Sequence, residues 1–398
     1  MRLPYRIFIF TVLQSFANTL VQRAAYFFTR GALHYQARAN LTLALVVGLA
    51  YVAGALLSHR VARRLGEKPT LLLALACQVA CLLTIALLPR SGPVIGGVVA
   101  YSFFSALMWP LVESFVSAGR APLEASRIIG FYNVCWSTAS PAAVWISGTL
   151  IAWLGSGLFA VSAGATVLGA LFILHLPHHP AHHDLDHADR PPAQRLAVYR
   201  RLLGSSRWSL VLSYALLFVL SPLMPTLFMD QLHFGIVAAT LLAGCIDAAR
   251  AATFLVMAQI HGWHGRRGIL LLTAGLLPLG FLVALLGPMI IPGVGSGAAV
   301  IVAGELAFGV GMGMAYYTAL YYAMVVGNAS VDAGGWHEGL IGSGFSLGPA
   351  AALLGACAAG AAAGPSAGLL WGIVPLLALF GAGSLIPLRR GSAGPVRL

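Results

Sequence analysis

Asp247 and Arg250 stand three residues apart inside an apolar run over 236–258. On a helix that spacing puts both side chains on one face, where they either neutralise each other or present a charged patch to a solute or a proton. Glu305, inside the run 297–325, has no opposite charge at helical spacing. Such a carboxylate either rests protonated in a core or exchanges its proton as its access to water changes. Arg23 closes a stretch that also holds Gln14, Asn18 and Gln22, so it either snorkels to a surface or binds an anion. Glu113 lies near Arg127 and the Arg60–Arg64 stretch in depth, which predicts an ion pair that gates or packs.

Polar-tipped aromatics form a second set. Tyr317 and Tyr321 share a helical face at i, i+4, and Trp109, Tyr132, Asn133 and Trp136 cluster in neighbouring runs. They either grip an organic solute by stacking and hydrogen bonding or simply fill a core. A third set is the histidines His178, His179, His182, His183 and His187, whose side chains suit zinc or nickel but whose Pro-rich surroundings read as a solvated linker. The five cysteines all fall in apolar runs without metal-ligand spacing and read as small core residues. No cofactor is expected. No histidine lies well inside an apolar run, which argues against nucleophilic or metal chemistry there, and no G-x-x-x-x-G-K-[ST] loop is present to power a pump.

The elements that must hold these residues follow from composition. Of 398 residues, 59% are hydrophobic and 9% charged, with a mean hydropathy of +0.87. So few charges cannot coat a water-exposed surface, and the chain is expected in a lipid bilayer. Windows of about 19 residues predict spans near 5–28, 39–57, 70–88, 93–117, 127–153, 157–176, 207–229, 236–258, 268–288, 297–325, 338–362 and 366–388. These runs are continuous, which excludes an outer-membrane barrel. The first is too long for a signal peptide and reads as an uncleaved span.

The polar stretch 177–206 divides the chain, predicting a six-helix bundle over 1–176, a linker, and a second bundle over 207–398. Placing both termini and the linker in the cytoplasm puts 18 of the 23 basic residues inside. Only Arg30, Arg38 and Arg90 then lie outside, with Arg23 and Arg250 inside spans, and this asymmetry sets the orientation. Anionic lipid accounts for the net charge of +12 without a nucleic-acid partner. The halves also repeat. Arg64-Leu65-Gly66-Glu67-Lys68 before the third span parallels Trp263-His264-Gly265-Arg266-Arg267 before the ninth, and Ser140-Pro141-Ala142-Ala143 parallels Gly348-Pro349-Ala350-Ala351.

On these features the chain resembles the major facilitator superfamily of secondary transporters. The resemblance spans essentially the whole chain: six plus six spans, a polar middle loop, and a basic Gly-containing loop in each half. The resemblance implies gating roles for Arg63, Arg64, Gly66, Gly265, Arg266 and Arg267, although both copies lack the acidic residue of the family pattern G-x-x-x-D-R-x-G-R-R. It further implies that the first, fourth, seventh and tenth spans line a cavity, and that the Gly-Pro-rich eleventh span packs tightly where the halves meet.

The expected architecture is therefore all-α, twelve transmembrane helices in two pseudo-symmetric bundles. The expected function is alternating-access, proton-coupled transport of a small organic solute by a monomer in a prokaryotic inner membrane, with both termini cytoplasmic. A metal-ion transporter using the His-rich loop and an intramembrane enzyme are the alternatives.

Overall fold

The computed structural model describes residues 5–117, 122–180, 192–291, 293–327, 331–359 and 365–389. In lipid the backbone must satisfy its own hydrogen bonds, and every regular element among the described residues is helical. In chain order these are α1 (Tyr5–Gln22), α2 (Ala24–Leu33), α3 (Ala37–Leu65), α4 (Glu67–Leu87), α5 (Ser91–Ser117), α6 (Pro122–Leu154) and α7 (Gly157–Ile173). The second half holds α8 (Ala193–Pro225), α9 (Ile236–Ala243), α10 (Cys245–Gln259), α11 (Gly268–Ile290), α12 (Val294–Val326), α13 (Val331–Ala358) and α14 (Pro365–Arg389). A π-helical turn, Thr226–Gln231, extends α8.

These elements make twelve rods, because α1 with α2 and α9 with α10 are each one span interrupted at a single residue, Arg23 and Gly244. Among the described residues nine spans are long and apolar enough to cross a bilayer by length and composition. The architecture is the two-bundle, twelve-helix arrangement read from the sequence.

Several boundaries differ from the hydropathy reading; α3 runs on to Leu65 instead of ending near 57, and α13 starts at Val331 instead of near 338. The first span runs on to Leu33 instead of ending near 28, and α8 begins at Ala193 inside the stretch read as linker. Directly after Pro192 the chain turns helical, and Leu196, Leu202 and Leu203 recur at helical spacing and are buried, which outweighs the charge of Arg195, Arg200 and Arg201.

Alternation of the rods puts the start of α1, the end of α14 and the two Gly-containing loops on one face, here the basic face, and Arg30, Arg38 and Arg90 on the opposite, far face. The two loops are built alike. Gly66 (φ 89°) and Gly265 (φ 73°) adopt positive φ, where a side chain would be strained. Two residues on, Lys68 Nζ donates to Leu174 O and Leu176 O (2.7 and 2.9 Å) at the end of α7. Arg267 Nη1 likewise donates to Leu388 O (2.8 Å) near the end of α14. Each cation satisfies carbonyls at a helix C-terminus, where its charge is also favoured. Both ties lie within one half, so they fasten each bundle internally and do not join the halves.

The halves meet where α3 packs on α13 and α6 packs on α9 and α10. Aromatic pairs cross that seam, with Tyr51 and Phe345 rings 4.7 Å apart and Trp136 and Phe254 rings 5.2 Å apart.

Candidate functional site

A cavity of about 100 Å³ lies between the halves. Asn18, Arg23, Trp109, Tyr132 and Trp136 line it from the first half, and Asp247 and Arg250 from the second. Tyr316, one of the tenth-span tyrosines expected to grip a solute, lines it too, and the sequence reading missed Tyr51, Tyr214, Phe345 and Glu338, which line it as well.

Charge is concentrated in a triad. Arg250 Nη2 donates to Asp247 Oδ1 at 2.6 Å, and Arg23 Nη1 lies 3.4 Å from Asp247 Oδ2. Arg23, Arg250 and Asp247 are 8%, 5% and 1% exposed. Arg23 therefore does not snorkel. It sits at the joint between α1 and α2, and its Nη2 donates to Ala243 O (3.2 Å), the last residue of α9, so two helix interruptions face each other across the halves. Asp247 occupies the first turn of α10, where a carboxylate meets the positive end of the helix dipole. The Arg250 guanidinium lies 4.8 Å from the Trp136 ring centroid, and Trp136 Nε1 donates to Asn133 Oδ1 (3.1 Å). Asn133 thus orients Trp136 from behind the wall. Asn18 Oδ1 accepts from Ser105 Oγ (3.1 Å), and Gln14 is spent on Gln78 away from the cavity (2.5 Å).

Nearer the basic face, Tyr51 donates its hydroxyl to Glu338 Oε2, and Glu338 also hydrogen-bonds Glu113. Tyr51 and Glu113 belong to the first half and Glu338 to the second, so the cluster spans the seam. The expected pairing of Glu113 with Arg127 or the Arg60–Arg64 loop is corrected: Glu113 is buried against Glu338, while Arg127 is exposed. Glu338 escaped the sequence reading because it is the first residue of the predicted span and looks like a boundary residue. Its being the one carboxylate on that span was the usable signal.

Three placements on the tenth span also change. Glu305 is fully buried, but its side chain lies behind the cavity wall and neither carboxylate oxygen has a hydrogen-bond partner. It is not isolated from charge, because the cation Arg23 and the anion Asp247 both act on it. Tyr317 and Tyr321 leave the cavity and join an aromatic cluster at the basic face. Trp263 lies 5.7 Å from Tyr317 and 5.0 Å from Tyr321, and the His264 ring stacks on Tyr321 at 4.3 Å. The neighbour Tyr316 turns inward instead, 4.9 Å from Trp136.

The basic-loop residues Arg63, Arg64 and Arg266 are exposed. The Gly265 N–H donates to Tyr322 Oη (3.1 Å), tying that loop to α12. Of the histidine set, His179 Nδ1 lies 2.5 Å from Glu67 Oε2 and His178 is exposed, whereas His182, His183 and His187 lie outside the described residues. No group of three or more potential metal ligands occurs among the described residues.

Two joined helix interruptions, an ion triad between six-helix halves and a basic loop repeated in each half define a two-bundle membrane site. The Major Facilitator Superfamily profile matches residues 7–352 of the chain. The chain belongs to the major facilitator superfamily. Solved structures in this superfamily share its architecture. The nucleoside transporter NupG aligns over 98% of this chain and 100% of its own with TM-score 0.65 and 14% identity. The human organic anion transporter MFSD10 (TETRAN) aligns over 98% of each chain with TM-score 0.66 and 16% identity. FucP in its outward conformation aligns over 97% of each chain with TM-score 0.60 and 13% identity. At such identities the likeness is one of fold. No curated protein matches the sequence. As a member of the major facilitator superfamily the protein is a multi-pass membrane transporter of small solutes.

Proposed function

We propose that the protein moves a small organic solute by alternating access, with the central cavity as the binding site and Glu305 as the group that carries the coupling proton. The carrying observation is the triad: charges from both halves converge on one cavity, and each half supplies a discontinuous helix to it. Buried charge is costly in a bilayer and is retained where a solute or ion is read. Trp109, Tyr132, Trp136, Tyr214 and Tyr316 supply flat, polar-tipped walls suited to an organic body. Glu305 lacks hydrogen-bond partners yet feels Arg23 and Asp247, so its charge state is linked to events in the cavity. The two halves, joined through the 177–206 stretch, rock as bodies over 1–176 and 207–398. The basic face lies in the cytoplasm, as the distribution of Arg and Lys favours, and the protein works as a monomer in the plasma membrane of a prokaryote.

The reading is tested in proteoliposomes carrying an imposed pH gradient and a mixture of small metabolites, with uptake followed by mass spectrometry. Parent protein should concentrate at least one solute, while Glu305→Gln should lose uphill accumulation although solute exchange persists. Uphill accumulation by Glu305→Gln equal to the parent would remove Glu305 from the coupling step.

A further inference from the structure

A groove separate from the solute cavity runs down the outer side of the first bundle. Helix α6 presents Tyr132 and Trp136 to the cavity and their neighbours Phe131 and Cys135 to the groove, one position and about 100° of helix rotation apart. Tyr5, Ile9 and Val12 of α1 stand across from them, and the space enclosed is about 530 Å³. Val12 and Leu13 also line a second hollow of about 640 Å³ where α1, α6 and α7 meet, so the two form one continuous trough. Ala142, Gly164 and Ala165 keep its second part open, and a Cβ on Gly164 would meet nothing within 4 Å. Thr138 spends its hydroxyl on Val134 O (2.8 Å), which leaves the lining apolar.

The depth of the trough matches one leaflet. From Tyr5 to Phe16 on α1, and from Phe131 to Ala142 on α6, the helices rise about 17 Å. Half of a hydrocarbon core is about 15 Å. Both helices start at the basic face, so the trough opens there and ends near the middle of the bilayer. A partner helix would need a face running the full thickness, whereas the acyl chain of one leaflet needs only this one.

The mouth is cationic. Arg6 follows Tyr5, its Nε donates to Tyr5 Oη (3.3 Å), and its guanidinium lies 5.7 Å from that ring's centroid, so a residue lining the trough holds the charge at the entrance. Arg127 is exposed one turn before Phe131, on the same face of α6. The Phe8 and Phe131 rings lie 4.8 Å apart and set the two helices in register, which brings Arg6 and Arg127 within about 3 Å of each other in depth. Neither arginine pairs with a carboxylate among the described residues. Guanidinium groups match the oxygens of a phosphate in both geometry and charge.

We propose that the trough binds one anionic phospholipid of the basic-face leaflet, with an acyl chain lying along α1 and α6 and the phosphate received by Arg6 and Arg127. A choline headgroup brings its own cation beside the two arginines, so the site favours a headgroup without one. The assignment does not depend on which solute the cavity takes.

The test mixes the full-length protein in detergent micelles with dioleoyl phosphatidylglycerol or dioleoyl phosphatidylcholine and counts bound lipid by native mass spectrometry. The parent should hold phosphatidylglycerol at least about fivefold more tightly than phosphatidylcholine. Arg6→Gln with Arg127→Gln should bring the two lipids within about twofold. Arg60→Gln with Arg200→Gln removes the same charge from exposed positions elsewhere on the basic face and should leave the preference in place. Gly164→Leu should fill the inner end of the trough and weaken phosphatidylglycerol binding at an unchanged melting temperature. In proteoliposomes, phosphatidylglycerol carrying a diazirine on its acyl chain should cross-link to 5–16 and 131–142 ahead of other segments. Equal retention of the two lipids by the parent, an equal loss of preference in the Arg60, Arg200 variant, undiminished binding by Gly164→Leu, or cross-links spread evenly over the helices would each overturn the proposal. A two-chain species dispersed by Gly164→Leu would also overturn it, by giving the trough to a second copy of the protein.

Discussion

Arg30 and Asp230 clasp the two halves together at the far face. Arg30 Nη2 lies 2.7 Å from Asp230 Oδ1, and Arg30 Nε lies 3.1 and 3.0 Å from the two carboxylate oxygens. Arg30 sits in the last turn of α2 and Asp230 on the π-helical turn that extends α8. A π turn at such a position re-aims a side chain that a regular helix would carry past its partner.

This ion pair is partly exposed, so its contribution is on the order of 1 kcal/mol, or about fivefold in an equilibrium between closed and open far faces. Arg30→Gln should therefore raise the rate at which a water-soluble maleimide labels Asn18→Cys from the far side by about that factor. An unchanged labelling rate would show that the pair does not hold this face shut.

Gly148 gives a steric counterpart. A Cβ there would lie 2.2 Å from Thr240 Oγ1 and 2.7 Å from Ile236 O, across the seam between α6 and α9. Because the clash is between halves, parting them relieves it. Gly148→Ala should disfavour the closed far face by about 1–3 kcal/mol, slowing transport while leaving the melting temperature of the protein near that of the parent. Gly348 is the contrast, since a Cβ there would lie 1.9 Å from Ala215 O inside the second bundle. Gly348→Ala should lower the melting temperature and the yield of folded protein, and the reverse ranking of the two variants would contradict the assignment of the seam.

Within the triad, Asp247 serves two cations and each arginine serves one carboxylate. Asp247→Asn strands two buried guanidiniums and should cost about 3–5 kcal/mol of stability, whereas Arg250→Gln leaves Arg23 to accompany Asp247 and should cost less. The Asp247→Asn, Arg250→Gln double variant should be more stable than Asp247→Asn alone. Thermal scans of the three purified variants measure this, and a double variant less stable than both singles would rule out the shared-charge arrangement.

His264, in the loop before α11, supplies a pH dependence outside the spans. Burial first, and then the neighbouring His261, push its imidazole down to about 4. Its unfolded value is about 6.5. The folded state thus prefers the neutral ring, whose contribution is fully present above about pH 6.5 and is lost as pH falls toward 4. The neutral ring stacks on Tyr321 at 4.3 Å, a contact that a half-buried imidazolium would make only at a desolvation cost. The melting temperature should fall between pH 6.5 and 4 and should fall less steeply in His264→Gln. Identical slopes in parent and variant would exclude His264 as a source of acid sensitivity.

How much of the site could be read in advance varies by residue. Asp247 and Arg250 were legible as a pair because their relation is local, three residues on one helix. Arg23 was legible as buried or snorkelling and no further, since its partner lies in the other half. Glu113 invited pairing with nearby cations in sequence depth, but it faces Glu338 from another bundle. Tyr316 and Tyr317 differ by one position and about 100° of helix rotation, which sends one ring into the cavity and the other to the basic-face cluster.

The sequence by itself determined the class, the twelve apolar rods, the duplicated basic loops and the charge asymmetry between faces, because hydropathy and charge are summed along a chain and need no partner to be measured. Only the tertiary structure decided that Arg23 reaches Ala243, 220 positions away, that Asp247 carries two arginines, and that Glu305 stands behind the cavity wall. The physical reason is that an apolar helix can turn about its own axis with little change in the lipid-facing surface it presents. Which residues it points inward is therefore fixed by close packing and by the few polar groups that must find one another.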